Sequence, residues 1–179
     1  MTVRTYLNNS PLIAKTTYID PMALVIGQVQ IGEDSSVWPF ACIRGDVHHI
    51  TIGNRTSIQD GCVLHVTHDG PYTPGGRALL IGNDVTVGHK VILHACTVED
   101  RCIIGMGATI LDGALVQSEV IVGAGSLVPP GKILESGYLW LGTPVIKKRP
   151  LTDAEKVFIL YSAGSYVTLK NNYLHSLTL

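Results

Sequence analysis

The sequence predicts a mainly β chain, wound as a three-sided parallel β-helix of six-residue repeats and followed by a C-terminal α-helix. Three observations carry this. Aliphatic anchors recur at a strict step of six: Ile19, Val25, Ile31, Val37 and Ile43, then Val98, Ile104, Ile110, Val116, Val122 and Val128, all of them β-branched. Four residues after each anchor stands something small or slim: Ala23, Val29, Ser35, Ala41 and Val47 in the first train, and Cys102, Ala108, Ala114, Val120 and Ser126 in the second. The composition, with 19 Gly, 15% charged and 46% hydrophobic residues, suits many short strands with tight corners better than amphipathic helices.

Neither a helix of 3.6-residue period nor a sandwich strand of period two would hold an apolar anchor at every sixth position over such a length. A short strand plus a corner does. Three such flats close one turn, each turn hydrogen-bonds the next at about 4.7 to 4.9 Å, and the anchors fill the interior. Two middle trains, Ile52, Ile58, Leu64 and Ile81, Val87, Leu93, keep the rule with Thr56, Cys62, Val85 and Val91 at the slim position. The trains break three times: by nine residues from Ile43 to Ile52, by seventeen from Leu64 to Ile81 through a loop holding His68, Pro71, Pro74, Gly75 and Gly76, and by five from Leu93 to Val98. Insertions on a repeat scaffold are where function tends to sit.

After Val128 the repeat ends at Pro129, Pro130 and Gly131. Thr152 and Glu155 read as a capping box, and Val157, Leu160, Tyr161, Gly164, Val167 and Leu174 recur at helical spacing. The reading is one domain over 1–179, with a β-helix at 11–145 and a helix at 151–175 that covers apolar surface along the coil. Lys and Arg number 13 against 14 Asp and Glu, so no net field draws the chain to nucleic acid or an anionic membrane, and its ligands should be small. No export-type apolar segment and no run of 18 apolar residues occurs, so a cytoplasmic home is expected. Cys42, Cys62, Cys96 and Cys102 lack metal or redox spacing and are read as buried thiols.

Phase places the histidines. His65 follows Leu64 and His94 follows Leu93, three repeat steps apart, so the two stack on consecutive turns, point outward, and can share one ion. His89, two positions after Val87, points out from the preceding flat and cannot easily close the same site. A threefold axis could bring His89 of one subunit to His65 and His94 of the next, giving three equal sites. His48, His49 and His68 lack this registration, although His68 in the long loop could move protons, and His175 reads as tail.

The repeats IGEDSS, IGNRTS, IGNDVT and VGAGSL resemble the hexapeptide repeat of left-handed β-helix proteins, and the resemblance supplies the handedness that periodicity does not. The run RGDVHHITIGNRTSIQDGCVLHVTH followed by VGHKVILHACTV resembles the gamma-class carbonic anhydrases over roughly residues 10 to 170. That likeness implies a homotrimer with the metal held between subunits by His65, His89 and His94, and reversible hydration of carbon dioxide to bicarbonate. Zn²⁺ would lower the pKa of its water towards about 7, although imidazoles suit Fe²⁺ or Co²⁺ as well. It further implies that Gln59 orients the hydroxide, that Arg44 and Asp60 pair across the subunit boundary with Asp46 in the same polar shell, and that Tyr166 stands near the metal.

Several positions depart from that family. Val47 follows Asp46 and residues 66–80 contain no glutamate, where well-known catalysts carry proton-ferrying glutamates, and Ser57 stands where an asparagine is often found. The resemblance then implies slow or absent hydration over an intact metal site, because hydroxide is regenerated by proton transfer to solvent. Two other readings stay open: an acyl-CoA thioesterase or acyltransferase of the same scaffold, and a non-catalytic metal-binding scaffold.

Overall fold

The computed structural model describes residues 2–176, so the outermost residues of the domain read from the sequence lie outside it. The chain winds as a parallel β-helix whose three flats are read from the strand pairing. The first flat stacks Tyr18–Ile19, Ser36–Val37, Ser57–Ile58, Thr86–Val87, Ile103–Ile104, Ile121–Val122 and Tyr138–Gly142, with Val145–Pro150 closing it antiparallel. The second runs through Val63–His65, Ile92–His94, Thr109–Ile110 and Leu127–Val128. The third runs through Leu79–Ile81, Thr97–Val98, Leu115–Val116 and Ile133–Leu134.

The anchors from Val25 onward are at most 3% exposed, and they pair in register from turn to turn, as in Ile43 with Leu64, Leu64 with Leu93 and Leu93 with Ile110. The slim positions lie inside too, with Ala108, Val85 and Cys62 fully buried. Counting four forward from an anchor fails at Val47, which is 43% exposed; the core position is instead two residues before the next anchor, where Ile50, Leu79 and Cys96 are buried. In an unbroken hexad the two counts coincide, and only an insertion separates them.

The nine-residue break is strand, not loop. Leu24–Ile31 and Cys42–Ile52 each run without interruption across the corner between the second and third flats, paired with one irregularity between Gly27 and Val29. Glycine makes this possible: a Cβ on Gly27, at φ +78°, would lie 2.4 Å from the Gly45 carbonyl oxygen. The corner between the third and first flats is tighter. It places Asp34, Arg55, Asp84, Arg101 and Glu119 in the left-handed region, each three residues past an anchor. Their side chains offset part of that strain by pairing along the corner: Arg55 holds Asp84 through two bonds of 2.6 and 2.7 Å, and Arg101 holds Glu119 at 3.2 Å. Cys62, Cys96 and Cys102 are buried, and burial pushes their thiols up to about 11, 12 and 12. Cys42 is only partly covered, because it precedes Ile43 and its side chain turns outward.

The helix spans Asp153–Ser176 and lies on the first flat. Its capping box forms in both directions: the Thr152 amide donates to Glu155 Oε2 at 2.9 Å and the Glu155 amide to Thr152 Oγ1 at 3.2 Å. The buried face is Ile159, Ala163 and Lys170. Val157, Leu160 and Tyr161, three of the residues whose spacing marks the helix, are instead 51 to 68% exposed. Aromatic packing sets this rotation. Trp38 meets Tyr18, Tyr166 and Tyr173 at ring separations of 5.2 to 6.2 Å, and Lys170 Nζ, sealed beneath the helix, donates to Asp34 Oδ1 at 2.8 Å and to the Thr16 carbonyl at 2.7 Å.

Ile104→Ala should lower the unfolding free energy by about 2 to 5 kcal/mol, read from urea midpoints at matched protein concentration, since Ile104 is fully buried. Thr152→Ala should cost about 1 kcal/mol through the lost cap. Glu155 titrates at about 2, below its ordinary 4.5, because Arg149 and Thr152 bond its carboxylate. A depressed folded-state value means stability present above pH 4.5 and lost as pH falls towards 2, so the midpoint difference between wild type and Glu155→Gln should shrink across that window.

Candidate metal centre

Stacking brings six polar side chains to the corner between the second and third flats. His65 and His94 pair directly across adjacent strands, and their rings lie 5.2 Å apart between centroids. His65 Nδ1 faces His94 Nε2 at 3.2 Å. The outer nitrogen of each ring meets a carboxylate: His65 Nε2 lies 3.0 Å from Asp46 Oδ1, and His94 Nδ1 lies 2.6 Å from Asp112 Oδ1. Arg44 bonds Asp46 at one end, and Thr67 donates to Asp112 at the other.

Burial raises both carboxyls, but the bonds to Asp46 from His65 and Arg44, and to Asp112 from Thr67 and His94, outweigh it and hold them below their ordinary range. Burial also pushes the His65 pKa down against the pull of Asp46, with the Arg44 charge adding to the fall. An ionised carboxylate has no proton to give, so the ring nitrogen facing it carries the hydrogen and the other nitrogen keeps its lone pair. Those two lone-pair nitrogens are the ones that face each other. A tetrahedral ion with bonds of about 2.0 to 2.1 Å would have its ligand nitrogens about 3.3 Å apart, close to the spacing found here. The pair therefore fits two positions of such an ion.

The other predicted residues gather at the corner between the first and second flats. His89 Nδ1 lies 2.9 Å from Asp60 Oδ2, and Gln59, 4% exposed, lies beside the Tyr166 hydroxyl that descends from the helix. Burial and the Asp60 charge raise the Tyr166 pKa, opposed by Gln59. Within this single chain Arg44 bonds Asp46 and Asp60 bonds His89. Ser57 supports the scaffold, since its hydroxyl accepts a 3.0 Å bond from Trp38 Nε1. His48 accepts a bond from the His49 amide, and His68 stands exposed in the loop that begins past His65. Among the described residues, no three His, Cys, Asp or Glu side chains converge within one chain on a point that could hold an ion. The two polar clusters stand on opposite edges of one flat.

Asp112 and Thr67 belong to the first corner without any motif that marks them in the sequence. The one available signal is phase: Ile110 stacks on Leu93, so the residues just after it fall one turn beyond His94.

A β-helix of hexapeptide repeats with carboxylate-backed imidazoles on its corners defines a class of scaffold, and its left hand follows that class. A structure described as a hexapeptide transferase family protein from Anaplasma phagocytophilum superposes with a TM-score of 0.89 at 36% identity, covering 96% of this chain and 98% of that one. No family model matches. Among curated proteins, Protein YrdA of Escherichia coli is 54% identical over 172 residues, 96% of this chain and 94% of its own length. A probable carbonic anhydrase of Methanocaldococcus jannaschii is 46% identical over 158 residues, 88% of this chain and 95% of that protein. The mitochondrial gamma carbonic anhydrase 2 of Arabidopsis thaliana is 45% identical over 170 residues, and the match spans 94% of this chain but 60% of the plant protein. The chain belongs to the gamma carbonic anhydrase-like family of hexapeptide-repeat proteins.

Proposed function

We propose that three copies of this chain bind a divalent ion at each boundary, His65 and His94 from one subunit and His89 from the next, and that the site hydrates carbon dioxide reversibly to bicarbonate. The observation that carries this is the facing of His65 Nδ1 and His94 Nε2 at 3.2 Å with both outer nitrogens tied to carboxylates. Zn²⁺ is the ion we favour, with Fe²⁺ and Co²⁺ compatible with the same ligands. When bound, such an ion acidifies its water towards a pKa of about 7 and so supplies hydroxide at neutral pH.

The chain's own residues do the rest. Gln59, beside Tyr166, presents an amide that can orient the attacking oxygen. Asp60 fixes the ring of His89 by accepting from Nδ1. The flat between the two half-sites supports assembly. Its outward positions include Leu24, Val63, Ile92 and Leu127, and Val63 and Ile92 are 44 and 41% exposed, a face suited to burial against a second copy. In the trimer Arg44 would exchange Asp46 for Asp60 of a neighbour or bridge both. With no glutamate at 47 or in 66–80, proton export falls to solvent or to His68, which makes for a slow catalyst. Three buried free thiols suit a reducing compartment, so the cytoplasm is part of the proposal, and among the described residues no helix is long and apolar enough to cross a membrane.

The structural likeness to a hexapeptide transferase family protein keeps an acyl-CoA reading as the second choice. Free thiol released from a panel of acyl-CoA substrates above a His65→Ala control would favour it. A metal-bound protein inactive in both assays would favour the scaffold reading. For the first reading, metal content and oligomer mass should be measured on wild type and His89→Ala, with stopped-flow hydration of carbon dioxide on metal-replete protein. The expected outcome is metal in wild type, its loss in His89→Ala with trimer mass retained, and hydration above buffer that His65→Ala removes. A monomer that binds one ion through all three histidines would overturn the shared site, and hydration no faster than buffer would overturn the activity.

A further inference from the structure

Four successive turns bring to one corner, in order, Arg44 with Asp46, His65, His94 and Asp112, so two imidazoles stand between two carboxylates. The outer rungs are not equivalent. Asp46 is tied by Arg44, a charged partner on its own strand, whereas Asp112 is tied by the hydroxyl of Thr67, which belongs to the base of the long insertion. That base is closed by a two-way backbone bridge between Thr67 and Arg77, with bonds of 3.0 and 2.8 Å. Arg77 then reaches back over Gly113, next to Asp112, where a Cβ would meet its guanidinium at 2.4 Å. The inserted loop and Asp112 therefore form one connected unit beside His94.

We infer that Asp112, held by Thr67, is a positioning residue that fixes His94 as its Nδ1–H tautomer and so commits Nε2 to the ion. The inference rests on the metal-site reading above but concerns an event that occurs before any ion binds. A neutral imidazole offers one donor and one acceptor, and which nitrogen is which is decided by the partner of the other. Asp112 accepts at Nδ1, which turns the Nε2 lone pair towards His65 Nδ1. His65 is fixed in the opposite tautomer by Asp46 at its Nε2, so the two rings use different nitrogens to face one point. Without Asp112 the Nε2–H form of His94 becomes accessible, and a hydrogen then stands where the ion should be. Because Thr67 orients Asp112, the loop sequence contributes to the site without touching an ion.

The experiment has two arms on the full chain. Chelator competition with Zn²⁺ should show Asp112→Ala, which removes the acceptor at Nδ1, losing roughly 10- to 100-fold in affinity with oligomer mass and circular dichroism unchanged. Thr67→Val should lose less, in the same direction. Long-range ¹⁵N–¹H spectra of histidine-labelled, metal-free protein should show His94 protonated on Nδ1 in wild type and shifted towards Nε2 in Asp112→Ala. Zn²⁺ binding by Asp112→Ala as tight as wild type, or a His94 tautomer unchanged in the same variant, would overturn the inference. Should wild type bind no Zn²⁺, the metal-site reading fails by itself, and the metal-free spectra still decide the role of Asp112.

Discussion

Everything in this molecule depends on successive turns stacking in register. Parallel strands one hydrogen-bond spacing apart, about 4.8 Å, set every residue of one turn directly over its counterpart in the next. Inward, this lines up the anchors so that Leu64, Leu93 and Ile110 fill one column of the core. Outward, it lines up the residues one position past each anchor, so two histidines at the same phase are brought together by the same bonds that hold the core. A one-residue slip would turn an anchor out and bury an imidazole, and the cost of that is what makes the spacing of the two rings dependable.

The same rule explains which features are legible in the sequence. Anchors at a step of six announce the coil, and the Thr152–Glu155 pair announces the helix start, because each is a local pattern with one structural solution. The His65–His94 pair is legible for the same reason. The features that escape depend on contacts across turns or between elements. The helix rotation follows from the aromatic seat of Trp38 and from the buried bond between Lys170 and Asp34, neither of which leaves a periodic trace. The stretch from Arg44 to Ile52 reads as an inserted loop by count, yet Gly27 and Gly45 let two long strands approach and cross the corner together. Asp112 is an ordinary corner aspartate until the column that ends on it is traced back to His94.

The geometry also accounts for the division of the site. A corner of the coil presents only the residues next to one column of anchors, and a flat separates each corner from its neighbour. Two donors can share a corner, as His65 and His94 do, but His89 sits on another, beside Asp60. In the proposed trimer, rotational symmetry would join different edges of identical copies without new sequence, and the apolar outward column on the intervening flat would give the copies a surface to bury.

The helix belongs to this arrangement and is more than a cover. Its docking on the first flat is fixed by Trp38, whose indole nitrogen is anchored by Ser36 and Ser57 and whose ring meets Tyr166. Tyr166 in turn lies beside Gln59, the buried amide one residue from Asp60. Serine hydroxyls on the flat, the indole and the phenol thus stand in contact one after the other, with the Gln59 amide beside the phenol. Ser57 thereby takes part in seating Trp38 and, through that ring, the helix.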